Sequence, residues 1–200
     1  VLTVLTVIPA RGGSRGIPNK NLEQVGGTTL LERAYMCAKF SRYESDIVVS
    51  TNDSHILKHA RNLGYEFDYV RPESISQDDS KTVDAVLDVV EWAEAKKRFY
   101  EVVVVLQPTS PLRLPEDLDD ALDLFFNSGD SESLVSVNLM SEHPTECLEV
   151  VDHGWSYLVS ENRPTGNRQT YKQNYYFING AIYIASLNFL KNSKSLIKGE

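Results

Sequence analysis

The amino-acid sequence predicts an α/β protein, a three-layer sandwich in which a mostly parallel, doubly wound sheet lies between helices. Short runs of apolar, often β-branched residues alternate with longer segments whose apolar residues recur every three or four positions. This alternation is typical of a parallel sheet covered on both faces, because each crossover between parallel strands is long enough to hold a helix. The 200 residues fit one domain, 1–200.

The strands are predicted from apolar runs that end at turn residues. They cover residues 4–8, 47–50, 67–70, 102–106, 134–137 and 179–185. The run at 102–106, Val-Val-Val-Val-Leu, is the most hydrophobic and is therefore expected at the centre of the sheet.

The helices are predicted between these strands from the spacing of apolar residues. The residues that mark them are Leu30, Leu31, Ala34, Tyr35 and Ala38, then Ile56, Leu57, Ala60 and Leu63, then Val83, Val86, Leu87, Val90, Trp92 and Ala93, and finally Leu118, Ala121, Leu122 and Phe125. Thr28 or Thr29 is expected to cap the first helix, and Gly64 is expected to end the second.

Residues 10–22, called the glycine loop below, follow the first strand and are the most informative segment. The loop holds three glycines and three cations, which are Gly12, Gly13, Gly16, Arg11, Arg15 and Lys20. Glycines allow a sharp turn whose N–H groups converge on an anion, and Arg and Lys bind phosphate oxygens. The pattern predicts a phosphate-binding loop, and the alternative is a solvated basic turn. The spacings of a dinucleotide fingerprint and of a P-loop NTPase are both absent.

Two other unusual loops follow predicted strands, at residues 71–82 and 107–113. In a parallel sheet the carboxyl ends of the strands meet at one edge, where ligands bind. The sequence therefore predicts that these loops and residues 11–20 of the glycine loop form one shared site.

Composition and charge restrict the classes of partner. The formal net charge of −8 argues against binding nucleic acid by general electrostatics, so an anionic ligand needs a local cationic pocket or a metal. No apolar run approaches the length of about 20 residues that spans a membrane, and the first run is interpreted as a strand, not as a signal peptide. Cys37 and Cys147 are far apart and are expected to be reduced thiols, which indicates a cytoplasmic location.

The glycine loop, Ile-Pro-Ala-Arg-Gly-Gly-Ser-Arg-Gly-Ile-Pro-Asn-Lys-Asn-Leu over residues 8–22, resembles the signature loop of the acylneuraminate cytidylyltransferase family, which includes the CMP-sialic acid synthetases. Arg15 stands where that family more often has Lys. Further matches are Arg71-Pro72 with residues 77–82, Gln-Pro-Thr-Ser-Pro-Leu-Arg over 107–113, Arg168-Gln169, Asn179-Gly180 and Ile182-Tyr183. The resemblance extends to about Ala185.

The resemblance implies a nucleotide-diphospho-sugar transferase-like fold and a specific reaction. CMP is transferred from CTP to an acidic nine-carbon 2-keto sugar (a nonulosonic acid such as sialic acid), with Mg²⁺ as cofactor and pyrophosphate as the second product. Two alternatives remain open at this stage. One is a CTP-binding relative without catalysis, such as a sensor, and the other is a cytidylyltransferase for another 2-keto-3-deoxy acid sugar.

The resemblance also implies a role for individual residues. Arg11 and Lys20 are the candidate catalytic residues, because they would hold the triphosphate and its developing charge. Nucleotide binding is assigned to Ala10, Gly12, Gly13, Ser14, Arg15, Asn21, Arg71, Ser80 and Thr82. Binding of the sugar is assigned to Gln107, Thr109, Ser110, Arg168 and Asn179. For Ser80 and Thr82 the alternative is capping of the next helix, and Arg113 either binds ligand or ties its loop to a carboxylate.

Residues 140–176 are interpreted as an arm that leaves the domain, because the alternation of strands and helices stops there. The arm contains a predicted hairpin turn at Asp152-His153-Gly154 and several aromatic residues that need a partner to cover them. In the resembled family this region is a dimerisation arm, so a homodimer is expected. After His143-Pro144 the sialic acid enzymes often have a Lys, whereas this chain has Thr145 and Glu146. Either the sugar differs from sialic acid or Glu146 faces solvent.

The metal ligands are not identified in this sequence. In related families an Asp in the loop at 107–113 binds metal, and this chain has Thr109 and Ser110 there. The resembled family places an Asp-x-Asp element beyond the strand at 179–185, and the C-terminal end of the family is expected to be missing from these 200 residues.

Overall fold

The computed structural model describes residues 3–13, 16–129, 131–159 and 174–199. These residues form two compact units. Unit 1 comprises Val1–Ser136 and Gly180–Glu200, and unit 2 comprises Val137–Asn179.

The strands in chain order are β1 (Val4–Pro9), β2 (Gln24–Val25), β3 (Thr28–Thr29), β4 (Asp46–Ser50), β5 (Val102–Val105), β6 (Ser133–Leu139), β7 (Leu148–Val151), β8 (Gly154–Tyr157) and β9 (Tyr176–Ser186). The α-helices are α1 (Leu30–Lys39), α2 (Ser54–Asn62), α3 (Thr82–Ala95), α4 (Pro115–Asn127) and α5 (Leu187–Ser193). Short 3₁₀ helices cover Lys20–Leu22, Glu73–Ile75 and Pro144–Glu146.

The central sheet has the strand order β4-β1-β5-β9-β6. β4, β1 and β5 are parallel, and β5 lies at the centre as its hydrophobicity predicts. β9 is antiparallel to β5, with Val102 opposite Ser186 and Val105 opposite Tyr183. The prediction of a mostly parallel sheet is confirmed, and β9 is its antiparallel exception.

Alternate residues of the strands pack on opposite faces of this sheet, which produces the three layers. On one face Val104 and Leu106 pack with buried residues of α1, α2 and α4, among them Leu31, Ile56 and Leu122. The other face packs against α3 and α5, and its buried residues are Leu5, Val7, Val103, Val105, Val86, Val90 and Leu190. The valines of β5 are at most 3% exposed, as expected for a strand covered on both sides.

The start of α1 confirms one capping prediction and selects between its two candidates. The Thr29 hydroxyl accepts a hydrogen bond from the Glu32 backbone N–H at 3.1 Å, so Thr29 is the cap.

The predicted strand at residues 67–70 is wrong. These residues form no strand ladder, although the backbone N–H of Arg71 donates to the Thr51 carbonyl at 2.9 Å. Their apolar side chains serve packing against α3 instead. The rings of Phe67 and Tyr69 contact the edge of Trp92, with centroid distances of 5.9 and 5.5 Å. Aromatic residues that pack on a helix have the same sequence pattern as a short strand.

Unit 2 contains the antiparallel hairpin of β7 and β8, in which Val151 pairs with Gly154 across the two-residue turn Asp152-His153. The hairpin and its turn were predicted, and the remainder of the predicted arm between residues 160 and 173 lies outside the described residues. Thr145 is buried and Glu146 is exposed within this unit. No helix in the described part of the chain is long and apolar enough to cross a bilayer.

Candidate functional site

A cavity of about 470 Å³ opens at the carboxyl edge of the parallel strands in unit 1. The three loops that the sequence singles out all contribute to its walls. The lining residues are Pro9, Arg11, Gly16, Lys20, Asn21, Arg71, Asp78, Ser80, Lys81, Thr82, Gln107, Pro108 and Thr109. Arg11, Arg71 and Gln107 thus share one hollow. Arg11 and Gln107 follow β1 and β5, which run in the same direction and end at the same edge, and the backbone N–H of Arg71 donates to the Thr51 carbonyl just after β4.

The cavity concentrates positive charge in an acidic chain. Its lining contains four cationic side chains, from Arg11, Lys20, Arg71 and Lys81, and one carboxylate, from Asp78. Thr82, the first residue of α3, also lines the cavity, so the positive end of a 14-residue helix faces it. The net charge of the whole chain is −8, so the attraction for an anion is local.

Arg11 immediately follows Ala10 at the end of β1 and is already paired. Its Nη2 donates to Asp78 Oδ1 at 2.8 Å, and the two side chains are 29% and 32% exposed. Nη1 lies 3.4 Å from the carbonyl oxygens of Gly12 and Gly13. An incoming phosphate therefore competes with Asp78 for this guanidinium.

The glycine loop is held by side chains that follow β4. The backbone N–H of Gly12 donates to Asn52 Oδ1 at 3.0 Å, and Asn52 Nδ2 donates to Glu73 Oε2 at 2.8 Å. A Cβ on Gly12 would lie 3.0 Å from Asp53 Oδ2, and Asp53 is the N-cap of α2. A Cβ at this position would therefore press on Asp53, because the loop passes close to the start of the helix.

Asn21 secures the other end of the glycine loop. Its side chain is 5% exposed, and Nδ2 donates to the Arg11 carbonyl at 3.0 Å. The contact joins the two ends of a loop whose middle residues, Ser14 and Arg15, lie outside the described residues.

Arg71 is the most buried cation of the cavity, at 5% exposure. Nε donates to the Ser50 hydroxyl at 2.9 Å, and Nη2 donates to the Ser50 carbonyl at 2.7 Å. Among the described residues none accepts a hydrogen bond from Nη1. Burial lowers the pKa of this guanidinium below its usual value, which still leaves it charged near neutral pH.

Arg113 has a structural role. It is 9% exposed, and Nη1 donates to the carbonyls of Gln107, at 3.3 Å, and of Ala181. These partners are backbone carbonyls, so the predicted tie to a carboxylate is wrong. Arg113 joins the loop after β5 to β9 and thereby supports Gln107, whose own side chain is half-buried in the cavity.

Gly180 in β9 completes the wall behind Gln107. Its φ is +74°, and a Cβ there would lie 2.8 Å from Gln107 Oε1. Any other residue would adopt this backbone conformation at a cost, and its Cβ would push the Gln107 amide out of its place in the wall.

Eight of the predicted site residues line the cavity: Arg11, Lys20, Asn21, Arg71, Ser80, Thr82, Gln107 and Thr109. Gly12 and Ser110 are chain neighbours of lining residues, Gly13 is two residues beyond the lining residue Arg11, and Ala10 is fully buried in the core. Asn179 belongs to unit 2, where its Nδ2 donates to Asn138 Oδ1 at 2.8 Å. Ser14, Arg15 and Arg168 lie outside the described residues, so their roles stay predictions.

The capping alternative for Ser80 and Thr82 is not what the structure shows. The N-cap of α3 is Lys81, and no side chain caps this helix end. The Ser80 hydroxyl accepts a hydrogen bond from the Gln77 backbone N–H at 3.0 Å. Ser80 therefore stabilises the turn that carries Asp78 and Lys81 into the cavity.

Sequence reasoning missed Lys81 and Asp78, although both stand in the 77–82 run that it singled out. Their charge within a matched motif is the signal that would have found them. It also missed Ser50 and Asn52, which hold Arg71 and the glycine loop, because their type and spacing are ordinary for the end of a strand.

Comparison with known proteins places this geometry in a family context. The family model described as "Cytidylyltransferase" matches residues 5–185. The CMP-N,N'-diacetyllegionaminic acid synthase of Legionella pneumophila is 31% identical over 194 residues, which are 97% of this chain and 82% of that protein. The N-acylneuraminate cytidylyltransferase of Streptococcus agalactiae (serotype V) is 29% identical over 196 residues, 96% of this chain. The chain spans 45% of the length of that streptococcal relative.

The fold has a close structural counterpart. A CMP:2-keto-3-deoxy-manno-octonic acid synthetase complexed with CTP superposes with a TM-score of 0.72 at 20% sequence identity. The match covers 98% of this chain and 79% of that one, and at this identity it speaks for the fold alone.

Proposed function

The chain belongs to the cytidylyltransferase family, and we propose that it transfers CMP from CTP to a nonulosonic acid and releases pyrophosphate. The observation that carries the proposal is the meeting of Arg11, Lys20, Arg71 and Gln107 in one cavity. Their chemistry corresponds to the triphosphate, the base and the hydroxyls of the sugar. The relatives named above act on legionaminic and neuraminic acids, which supports an acidic nine-carbon sugar as acceptor.

In the proposed reaction the 2-hydroxyl oxygen of the sugar attacks the α-phosphorus of CTP. A bond forms between that oxygen and phosphorus, the O–H bond breaks and releases its proton, the bond from phosphorus to the bridging oxygen breaks, and pyrophosphate leaves. Such reactions depend mainly on positioning and on stabilisation of charge. Arg11 and Lys20 supply cations in the cavity for this purpose, and the N-terminus of α3 adds positive potential.

Arg71 is suited to the recognition of cytosine. The base presents acceptors at O2 and N3, and Arg71 has a guanidinium whose Nε and Nη2 are already occupied by Ser50. Its remaining donors can bind the base without first leaving another partner. Uracil presents an N–H at N3, which a guanidinium cannot accept.

Gln107 and Thr109 are the proposed contacts to the sugar from the described cavity. The Gln107 amide can both donate to and accept from hydroxyl groups. Ser110, Arg168 and Asn179 are proposed for the same substrate on the family resemblance. Of the two explanations for Glu146, a different sugar or a side chain that faces solvent, its exposure within unit 2 favours the second. A sugar carboxylate is then compatible with Glu146.

The ligands of a magnesium ion are not identified among the described residues. No group of three or more His, Cys, Asp or Glu side chains in the described ranges could hold a metal, and the single carboxylate of the cavity lining is paired with Arg11. We propose a requirement for Mg²⁺ that enters with the triphosphate. Assays of pyrophosphate release with excess EDTA, and after Mg²⁺ is restored, test this requirement; full activity in EDTA would contradict it.

We also propose that the protein forms a homodimer through unit 2. In the hairpin Val150 pairs with Trp155 and Leu148 with Tyr157, which places four large side chains on one face. Val150 and Trp155 are 78% and 61% exposed, so burial of this apolar face against a second subunit would be favourable. Sedimentation should show a dimer, Val150→Glu should shift it to monomer, and Glu149→Gln on the other face should not. A wild-type monomer at all concentrations would contradict the proposal.

The free thiols of Cys37 and Cys147 support a cytoplasmic location.

The decisive test measures pyrophosphate release from CTP and Mg²⁺ with three acids: N,N'-diacetyllegionaminic acid, N-acetylneuraminic acid and 2-keto-3-deoxy-manno-octonic acid. Lys20→Ala should lower the rate about 10²- to 10³-fold, by analogy with loss of a preorganised donor to the transition state. Lys58→Ala, an exposed lysine on α2 away from the cavity, is the matched control. CTP binding without turnover would support the non-catalytic alternative, and turnover of the octonic acid alone would support the other sugar.

A further inference from the structure

A buried chain of hydrogen bonds runs from the cavity into the core behind Arg71. Arg71 Nε donates to the Ser50 hydroxyl at 2.9 Å, which lies 3.5 Å from the Tyr69 hydroxyl. Tyr69 donates to Asp88 Oδ2, on α3, at 2.6 Å. Every link lies within unit 1. None of these three supporting residues lines the cavity.

The direction of this chain is determined by its two ends. A guanidinium can only donate and an ionised carboxylate can only accept, so both hydroxyls between them must donate toward Asp88. Ser50 then accepts from Arg71 and donates to Tyr69, and Tyr69 donates to the carboxylate. Each hydroxyl is oriented by its neighbours, which makes the position of the guanidinium depend on all three residues.

The burial of these residues makes the position of the Arg71 guanidinium depend strongly on its hydrogen-bond partners. Ser50, Tyr69 and Arg71 are 0%, 2% and 5% exposed, so water cannot replace a lost partner easily. The series of hydrogen bonds also links Arg71 to the Asp88 carboxylate. Burial lowers the pKa of Arg71; the interaction with Tyr69 opposes this, the charge of Arg11 adds to it, and Asp88 opposes it least.

We propose that Asp88, Tyr69 and Ser50 are positioning residues that fix the plane of Arg71 and thereby set the preference for cytosine over uracil. The inference rests on the proposed CTP-dependent function. With Nε and Nη2 held by Ser50, the guanidinium presents its remaining donors in one orientation. Cytosine satisfies those donors, whereas uracil would leave polar groups unpaired in a buried wall, and buried unpaired groups are what gives a site high selectivity. An Arg71 that is free to turn would accept both bases more equally.

The test uses Tyr69→Phe and Ser50→Ala in the full chain, with kcat and KM measured for CTP and for UTP. Each variant should lower the ratio of kcat/KM for CTP to that for UTP about 10-fold, near the lower limit for the loss of one hydrogen bond to a charged group. The loss should appear in the KM for CTP, because the variants leave Arg11 and Lys20 in place. Calorimetric titration with CTP and with UTP measures the same ratio without turnover.

Tyr100→Phe is the matched control. Tyr100 donates to Asp46 Oδ2 at 2.6 Å, so it forms the same phenol–carboxylate pair, at the opposite edge of the sheet. This variant should leave the ratio of CTP to UTP unchanged. A merely structural role for Tyr69 would give the two variants the same result.

The outcomes separate this inference from the proposed function. An unchanged ratio of CTP to UTP in a folded Tyr69→Phe variant overturns the inference, even if the enzyme is active. Absence of pyrophosphate release by the wild type with every acid overturns the proposed function, and calorimetry then still decides the inference. Tyr69→Phe removes one oxygen atom, so it keeps the test valid if Ser50→Ala does not fold.

Discussion

Replacement of Gly180 by alanine separates two effects that this position combines. The backbone has a φ of +74°, and an added Cβ would lie 2.8 Å from Gln107 Oε1, 3.5 Å from Gln107 Cδ and 3.7 Å from Tyr183 Oη. The first distance is too short for a carbon–oxygen contact. The Gln107 side chain must therefore move away from its place in the cavity wall.

The two effects have different sizes and different readouts. Holding alanine in a left-handed conformation costs about 1–2 kcal/mol, which should lower the free energy of unfolding by that amount. Displacement of Gln107 adds little to this loss, because the end of a flexible side chain can turn aside. It removes a hydrogen bond to the proposed sugar, worth about 0.5–1.5 kcal/mol, and should raise the KM for the sugar about 2- to 12-fold.

The assay combines urea denaturation with steady-state kinetics for the acid that serves as substrate. Gly129→Ala is the control, because Gly129 has a φ of +68° and nothing within 4 Å of an added Cβ. Both variants should lose similar stability, and Gly180→Ala alone should raise the KM for the sugar while the KM for CTP changes little.

Two results would refute this reasoning. An unchanged free energy of unfolding in both variants would show that the backbone conformation at these glycines carries no strain. Equal kinetics for Gly180→Ala and the wild type, alongside the expected loss of stability, would show that Gln107 does not contact the sugar.

Three further predictions concern charge and protonation. Asp78→Asn releases Arg11 from its ion pair and should lower the KM for CTP about 2- to 5-fold, the scale of a partly exposed pair; a higher KM would contradict this competition. Burial raises the pKa of the Tyr65 phenol above 10.0, so the folded state keeps its proton as the unfolded state loses it. The free energy of unfolding should therefore fall above pH 10. In chemical denaturation this fall should be less steep for Tyr65→Phe than for the wild type, by about 1.4 kcal/mol per pH unit. Parallel pH profiles of the two proteins would refute this. Burial also raises the pKa of the Cys37 thiol, so a disulfide reagent at pH 8 should modify the partly exposed Cys147 well before Cys37, and equal rates would contradict it.

The sequence predicts the position of the site better than its internal contacts. The loops after β1 and β5 meet because parallel strands end at one edge, and this rule needs only the order of the elements. The antiparallel direction of β9 could not be predicted, since an apolar run such as 179–185 is the same for either direction. The partner of Arg71, Ser50, and the partner of Tyr69, Asp88, were also out of reach, because they are separated along the chain and neither has an unusual setting in the sequence.

The wrong strand at residues 67–70 has an instructive cause. Phe67 and Tyr69 alternate with polar residues, which is the signature of a half-buried strand. In the folded protein this alternation turns both rings toward Trp92 of α3 and turns Tyr69 toward Ser50. The segment that looked like sheet is thus the support of Arg71, and local periodicity does not distinguish the two uses.

The order of strands in the sheet also has a consequence for synthesis on the ribosome. β9 lies between β5 and β6, although β6 is translated well before it. As the nascent chain emerges, β4, β1 and β5 can assemble early, while β6 has no docking position among the described strands until β9 arrives. Until then the outer edge of β5 is open to pairing with other chains. Translation arrested before Gly180 should therefore yield an aggregation-prone intermediate that requires a chaperone.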